Sequence, residues 1–374
     1  MSISNINKPR ILNHFSLCKD PRTRPVTYHL YEIILLVFLA TICGEEGWES
    51  MVEWGNDKLL LLRKFLPYED GIPSPDTVRR VVERINPKEF LSSFIGWVGE
   101  FKNRVNGQVC IDGKTLRHAL EDGGPLHLVS AWCEENRMVL GAVRTASKSN
   151  EITAIQELLN VLVLAEGDVV TIDAIGCQRS IAHAIREQKA DYLIAVKQNQ
   201  EKLSDELTNF FDQACDSQDY APCSIHETQR DEHGRDESRE VWISEDVGWL
   251  PQIDHWTGLS SIIMVRRSWE QQGKRREEKR YYISSLKAAP ERFSRLIRRH
   301  WSIENELHWH LDVTFGEDNS CIGGVANENL RVARMTALEM LRAEKSSKRG
   351  LKAKARRCHR SDNYLEQVLL AGNF

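Results

Sequence analysis

Three acidic residues far apart in the chain, Asp112, Asp173 and Glu304, stand where a carboxylate needs a reason to be. Asp112 interrupts the apolar run VCIDGKTL (109–116), and Asp173 sits near the end of GDVVTIDAIG (167–176). Both runs read as strands. An ionised aspartate buried without a partner is costly, so each must lie at a strand end, accept hydrogen bonds or bind a cation. Glu304 belongs to SRLIRRHWSIENELHWHLDVTF (294–315), where Ile297, Trp301, Glu304, His308 and Leu311 follow helical spacing along one otherwise apolar or aromatic stripe. Glu306 falls with Arg295, Arg299, Ser302 and His310 on a polar face, and Asp312 closes the helix. The spacing therefore predicts that Glu304, and not Glu306, points toward the sheet.

Two carboxylates held close together repel unless one is protonated or a cation bridges them. Hard oxygen donors without paired His or Cys favour Mg²⁺ or Mn²⁺. Three such acids suit a pair of ions about 4 Å apart, clamping the attacking and leaving oxygens of a phosphodiester. Each acid also has a plain structural reading: a strand-end Asp held by hydrogen bonds, or a Glu304 paired with Arg298 or Lys114. Around the acids, Lys114 and Arg117 could hold DNA phosphates or simply pair on the surface. Lys197, Asn199 and Gln200 end a predicted strand beside the same place. Trp301 and Trp309 could stack on a base, although an aromatic on such a helix is usually core. Cys177 follows Asp173 with no general base nearby, which argues against a thiol nucleophile.

The elements that must position these side chains change character along the chain. Residues 1–104 read as a helical N-terminal domain for recognising DNA ends, open to a helix-turn-helix reading with Arg79 and Arg80 exposed. Ser74 caps a helix with Pro75 at its first position, and Asn86-Pro87 opens another. Residues 105–199 give the order β-β-β-α-β-α-β, which predicts an α/β architecture. Its mixed sheet is opened by an antiparallel meander, and its first and fourth strands can be neighbours. Residues 200–288 read as an insertion with a polar helix, the hydrophilic HETQRDEHGRDESRE, and three strands (VWISEDV, SSIIMVRRSW, KRYYISSL). Residues 289–345 return to the core through a long helix from about Pro290 to Leu311, and 346–374 form a basic C-terminal segment.

Composition bounds the function. A chain of 374 residues, 41% apolar and 28% charged, is that of a globular protein with a large core. Its most apolar stretch, Ile33 to Cys43, is too short for a membrane span and reads as a buried helix. Nine scattered cysteines without a C-x-x-C pair argue against a disulfide framework or a structural zinc, and point to the cytoplasm. The net charge is −4, yet KSSKRGLKAKARRCHR (345–360) carries Arg356 and Arg357 among eight basic residues and no acid. KRREEKR (274–280) and RLIRRH (295–300) are further basic blocks, a local polyanion signal on a nearly neutral protein.

IDGKTLRHA, SNEITAIQELL, VVTIDAIGCQ, DYLIAVKQNQ, RYYISS and HWSIENELHWHLDVTFGED together resemble the H-repeat-associated insertion-sequence transposases of bacteria. These belong to the DDE superfamily, with a ribonuclease-H-like core. The likeness begins near YEIILLVFLATICGEEGWES, continues through GIPSPDT, and reaches NYLEQVLL. It implies that Asp112, Asp173 and Glu304 form the acidic triad holding Mg²⁺ or Mn²⁺ as two ions. It further implies metal-dependent DNA cleavage and strand transfer, with element ends and target DNA as partners. Assembly would be as a homodimer on DNA, in the cytoplasm at the nucleoid. Lys114, Arg117, Lys197, Asn199, Gln200, Arg298, Trp301, Arg356 and Arg357 are then the expected DNA contacts. The helix also resembles a broader Y-R-E-K signature, with His300 in place of its Arg and Leu311 in place of its Lys. After GED, where the family carries Arg-rich residues and a Gly-Asn-Ala segment, this chain has NSCIGGVANENL. Fewer arginines there would weaken phosphate contacts, and a catalytically inactive, transposase-derived DNA-binding protein is the alternative.

Overall fold

The computed structural model describes residues 9–101, 107–121, 124–145, 151–216, 223–232, 235–271 and 274–371. The N-terminal part is helical: α1 (Ile11–His14), α2 (Leu30–Ile42), α3 (Trp48–Asp57), α4 (Leu59–Leu62), α5 (Pro75–Arg84) and α6 (Pro87–Phe101). α2 is apolar around its whole circumference, and every residue but Tyr31 is buried, as a helix without a polar face must be. No helix among the described residues is long and apolar enough to cross a membrane. The caps follow the sequence: Ser74 accepts from the Thr77 amide at 3.3 Å, and Asn86 Oδ1 accepts from the Lys88 amide at 3.0 Å. Arg79 is half-buried and Arg80 exposed, and both pair with Asp76.

A nine-stranded sheet forms the centre, in the order β3-β2-β1-β4-β5-β9-β8-β7-β6. Its strands are β1 (Gln108–Glu121), β2 (Gly124–Cys133), β3 (Met138–Thr145), β4 (Val169–Ile172), β5 (Asp191–Val196), β6 (Cys223–Glu232), β7 (Arg235–Ser244), β8 (Ser261–Gln271) and β9 (Lys274–Ser284). β1 to β3 are an antiparallel meander, and β4 and β5 run parallel to β1. With α7 (Glu151–Val161) and α8 (Arg179–Glu187) between the parallel strands, this is the ribonuclease-H-like mixed sheet. β4 is only four residues, all buried, because it is covered on both faces.

The insertion differs from expectation in two ways. It begins with α9 (Glu201–Asp216) and holds four strands rather than three, since HETQRDEHGRDESRE folds into the β6–β7 hairpin. It also widens the central sheet: β9 pairs antiparallel with β5 from Leu193↔Ser284 to Val196↔Tyr281.

The return to the core is likewise interrupted. α10 (Pro290–His300) gives way to a π-helical segment, Ile303–His308, before α11 (Trp309–Phe315). A π turn inserts an extra residue into the helical repeat, and such turns are frequent at functional sites. α11 ends at Gly316, which takes φ +61; a Cβ there would run into the Glu46 carboxylate. The helix α12 (Gly324–Ala343) is buried along nearly its whole length between α2, α5 and α6 and the sheet. α13 (Leu351–Arg360) and α14 (Asp362–Ala371) finish the chain. One continuous apolar core runs from Ile11 to Leu369, so the N-terminal and C-terminal helices support the same sheet that carries the acids.

Candidate active site

β1 and β4 are adjacent, and their last paired residues are Ile111 and Ile172. The next residue on each strand is acidic, so Asp112 and Asp173 leave neighbouring strands side by side. Asp173 caps a short 3₁₀ turn by accepting from the Ile175 amide at 3.2 Å. Glu304, from the π segment, completes the lining of one cavity of about 330 Å³ shared with Asp112 and Asp173. Acids separated by 61 and 131 positions (173 − 112 and 304 − 173) thus meet at one opening.

The π turn changes how Glu304 arrives. A continuous α-helix would carry it inward on the stripe of Ile297, Trp301, His308 and Leu311. Instead Ile303 takes the buried position, while Trp301 (57% exposed) and Glu304 turn to the mouth of the cavity. The Glu304 side chain is 56% exposed, and its Oε2 lies 2.9 Å from His308 Nδ1. His308 is buried and lies 4.0 Å from Asp112 Oδ2. Ligand atoms of Asp112, Glu304 and His308 all fall within 4.8 Å of one another.

Electrostatics separate the acids. Burial, then the charge of Asp173, then Glu304 and Glu151 push Asp112 up to about 7, against a hydrogen bond from the Gly113 amide. Glu304 is held below the usual carboxylate range, first by His308 and with help from Lys114. Glu151 escapes sequence reasoning altogether: it approaches because Gly113 has no side chain, and a Cβ there would sit 3.1 Å from its carboxyl carbon. His300 lines the same cavity; Thr171 Oγ1 is 3.0 Å from its Nδ1, and burial lowers it to about 4.

Other expected contacts lie as follows. Lys114 turns inward to Asp312 and lies 3.9 Å from the buried Glu317. Lys197 is exposed at the end of β5 and lines the cavity. Asn199 and Gln200 donate side-chain amides to the Ala174 and Cys177 carbonyls at 2.6 and 2.8 Å, tying the turn after Asp173 to the end of β5. Arg298 is exposed on α10, and Arg356 and Arg357 are exposed on α13, with Arg357 4.0 Å over the Tyr364 ring. Arg117 lies on β1, its side chain outside the described residues. Lys279, Arg280, Tyr281 and Tyr282 of β9, from the KRREEKR and RYYISS runs, add the insertion's wall to the cavity. Glu306 pairs with Arg137 at 2.5 Å and lies 3.7 Å from Arg342, away from the triad. Cys177 is buried, and burial raises its thiol.

Behind the cavity lies a network of buried charge. Arg331 Nη1 donates to Glu317 Oε2 at 2.5 Å, its Nη2 donates to Ser130 Oγ at 2.9 Å, and Arg334 lies 4.0 Å from Glu317. Ser130 is the cross-strand partner of Asp112, so this network braces β2 beside the first acid. Arg331 and Arg334 follow the divergent NSCIGGVANENL segment, and both are buried.

Comparison with known proteins agrees with this architecture. Residues 12–98 match the family model of the DDE_Tnp_1-associated domain, and residues 105–340 match that of the transposase DDE domain. The chain is 38% identical to "Putative transposase YncI" of Escherichia coli O157:H7, over 96% of this chain and 94% of that protein. It is 37% identical to "H repeat-associated putative transposase YhhI" of Escherichia coli K12, over 96% of this chain and 97% of that one. A short relative, "Inactive transposase YbfQ" of the same strain, is 37% identical over only 20% of this chain. The chain therefore belongs to the DDE transposase family, among its H-repeat-associated members.

Proposed function

We propose that the protein is an insertion-sequence transposase that cuts DNA at the ends of its element and joins the freed 3′-hydroxyl to target DNA. The observation that carries this reading is the convergence of Asp112, Asp173 and Glu304 on one cavity from two strands and a π turn. The donor set fits divalent cations: the oxygens are hard, and the burial and the repulsion by Asp173 that raise Asp112 are what a bound cation would offset. Mg²⁺ or Mn²⁺ held by the three acids would supply Lewis-acid activation of the attacking hydroxyl and neutralise charge on the departing oxygen. The chain's own residues supply the rest. The exposed Glu304 and Trp301 leave the mouth open to a polymer substrate, while Lys197 offers positive charge there, beside Lys279 and Arg280, which pair with Asp212 and Glu278. Arg298, Arg356 and Arg357 lie on exposed helix faces where a duplex backbone can reach them, adding affinity that falls steeply with salt. Lys114, Asn199 and Gln200 act from within, steadying the strand ends that carry the aspartates. We infer assembly as a homodimer on DNA at the nucleoid.

A catalytically silent DNA-binding descendant is the second reading, favoured by the divergent NSCIGGVANENL segment. Retention of all three acids and alignment over nearly the full length of the long relatives favour the active enzyme. The test is to incubate the full chain with Mg²⁺ and DNA carrying the inverted repeats that border its gene. Nicked ends and joined products are expected. Cleavage without joining would indicate a nuclease, and binding without nicking would indicate the silent protein.

A further inference from the structure

The imidazole of His308 is the least expected neighbour of the triad, and its surroundings dictate which of its nitrogens carries the proton. Nδ1 lies 2.9 Å from Glu304 Oε2, four residues earlier in the chain. Nε2 is buried and has no hydrogen-bond partner among the described residues. A neutral imidazole has one N–H donor and one lone-pair acceptor. If the proton were on Nε2, a buried N–H would be orphaned, and Nδ1 would set its lone pair against a carboxylate. With the proton on Nδ1 the donor is satisfied by Glu304, and only a lone pair is left bare, the less costly of the two orphans.

We propose that His308 is a positioning residue: held as the Nδ1–H form, it donates to Glu304 and fixes that carboxylate at the cavity without becoming a metal ligand itself. The π turn gives the pair its role. The segment faces Glu304 outward, and its side chain is 56% exposed while its partner is 1% exposed. An exposed glutamate explores many rotamers; one charge-assisted hydrogen bond to a rigid, packed ring removes that freedom. The Nδ1 proton occupies the ring nitrogen that faces Glu304 and Asp112, at 2.9 and 4.0 Å, so that nitrogen has no lone pair for an ion between them, leaving an all-oxygen site suited to Mg²⁺ or Mn²⁺. The inference rests on the triad reading above, but its first test does not need a metal.

Metal-free protein labelled with ¹⁵N-histidine should show one imidazole as the Nδ1–H tautomer, absent from the spectrum of His308→Asn and shifted at Nδ1 in Glu304→Gln. An Nε2–H tautomer at His308 would overturn the proposal whatever the metal does. Mn²⁺-loaded protein on end DNA should show no directly bound ¹⁴N in its pulsed EPR spectrum, and a histidine nitrogen on the ion would equally overturn it. His308→Asn, which keeps an amide donor near the Nδ1 position, should retain cleavage within about tenfold of wild type. His308→Leu should lose about a hundredfold and need more Mg²⁺ for half-saturation. Equal activity and equal Mg²⁺ requirement in His308→Leu and wild type would also overturn it. If wild type bound no Mn²⁺ while the tautomer was as expected, the metal reading would fail and the positioning role of His308 would stand.

Discussion

Asp112→Asn is expected to yield a protein that no longer cuts DNA and yet is harder to unfold. Loss of one acid from the triad should lower cleavage by about a thousandfold or more, equivalent to roughly 4 kcal/mol of transition-state stabilisation. The gain in stability follows from Asp112's surroundings. Burial first, then Asp173 and Glu304, raise it to about 7, whereas an aspartate in the unfolded chain titrates near about 4. Between those values the folded chain holds a proton that the unfolded chain has released. Stability therefore falls as pH rises from about 4 through about 7, and the loss is complete above that range. Asparagine has no charge to desolvate. Since the Asp112 side chain is 26% exposed, the full pKa span is discounted, leaving a variant about 1–3 kcal/mol more stable than wild type in metal-free buffer above neutrality. Urea melts of both proteins at about pH 8 and about pH 4 check this: the gap should open at the higher pH and close at the lower. A variant less stable than wild type at the higher pH would mean that Asp112 is held by hydrogen bonds as an ordinary strand-end carboxylate.

The second large effect concerns a cluster of buried charges. Glu317 is fully buried among Arg331, Lys114 and Arg334, which keep it ionised despite the cost of burial. Removing one member of a buried ion cluster strands the others, at a cost of about 3–5 kcal/mol. Glu317→Gln should sit at the upper end, because it leaves Arg331 and Arg334 buried without their carboxylate, while Lys114 keeps Asp312. Arg331→Met should cost somewhat less, because Lys114 and Arg334 remain. Combining Glu317→Leu with Arg331→Met should recover part of the loss, as replacing both partners by apolar groups often does. Denaturant midpoints decide the matter. If each single change cost under about 1 kcal/mol, the network would not be what braces Ser130, and through it β2, beside Asp112.

The parts of this architecture that depend on local pattern are legible in the sequence. The alternation of apolar runs and helical stretches gives β1 to β5 in order, and that order allows β1 and β4 to be neighbours, as they are. The caps at Ser74 and Asn86 are read from side chains that bond their own backbone. The parts that depend on tertiary contact are not legible. β6 lacks the apolar alternation that signals a strand, because its pairing with β7 is made by backbone through a run of charged residues. The π turn is invisible because Trp301, Glu304 and His308 fit regular helical spacing on the page, and only packing against the sheet selects Ile303 as the buried residue. Glu151 reaches Gly113, beside Asp112, and the β9 side chains reach the cavity through folding alone, the first against a residue with no side chain, the others from a strand added to the far edge of β5. Lys114 reads as a surface cation until Asp312 and Glu317 are seen to enclose it.

The central claim is that Asp112, Asp173 and Glu304 jointly hold divalent cations while Glu306, two residues along the same segment, does not. Mn²⁺ binding to the chain on end DNA, followed by loss of the free-ion EPR signal, tests it for wild type, Asp112→Asn, Asp173→Asn, Glu304→Gln and Glu306→Gln. Wild type and Glu306→Gln should bind alike, and each triad variant should bind at least about tenfold more weakly. Undiminished Mn²⁺ binding in any triad variant, or a loss in Glu306→Gln as large as theirs, would contradict the account.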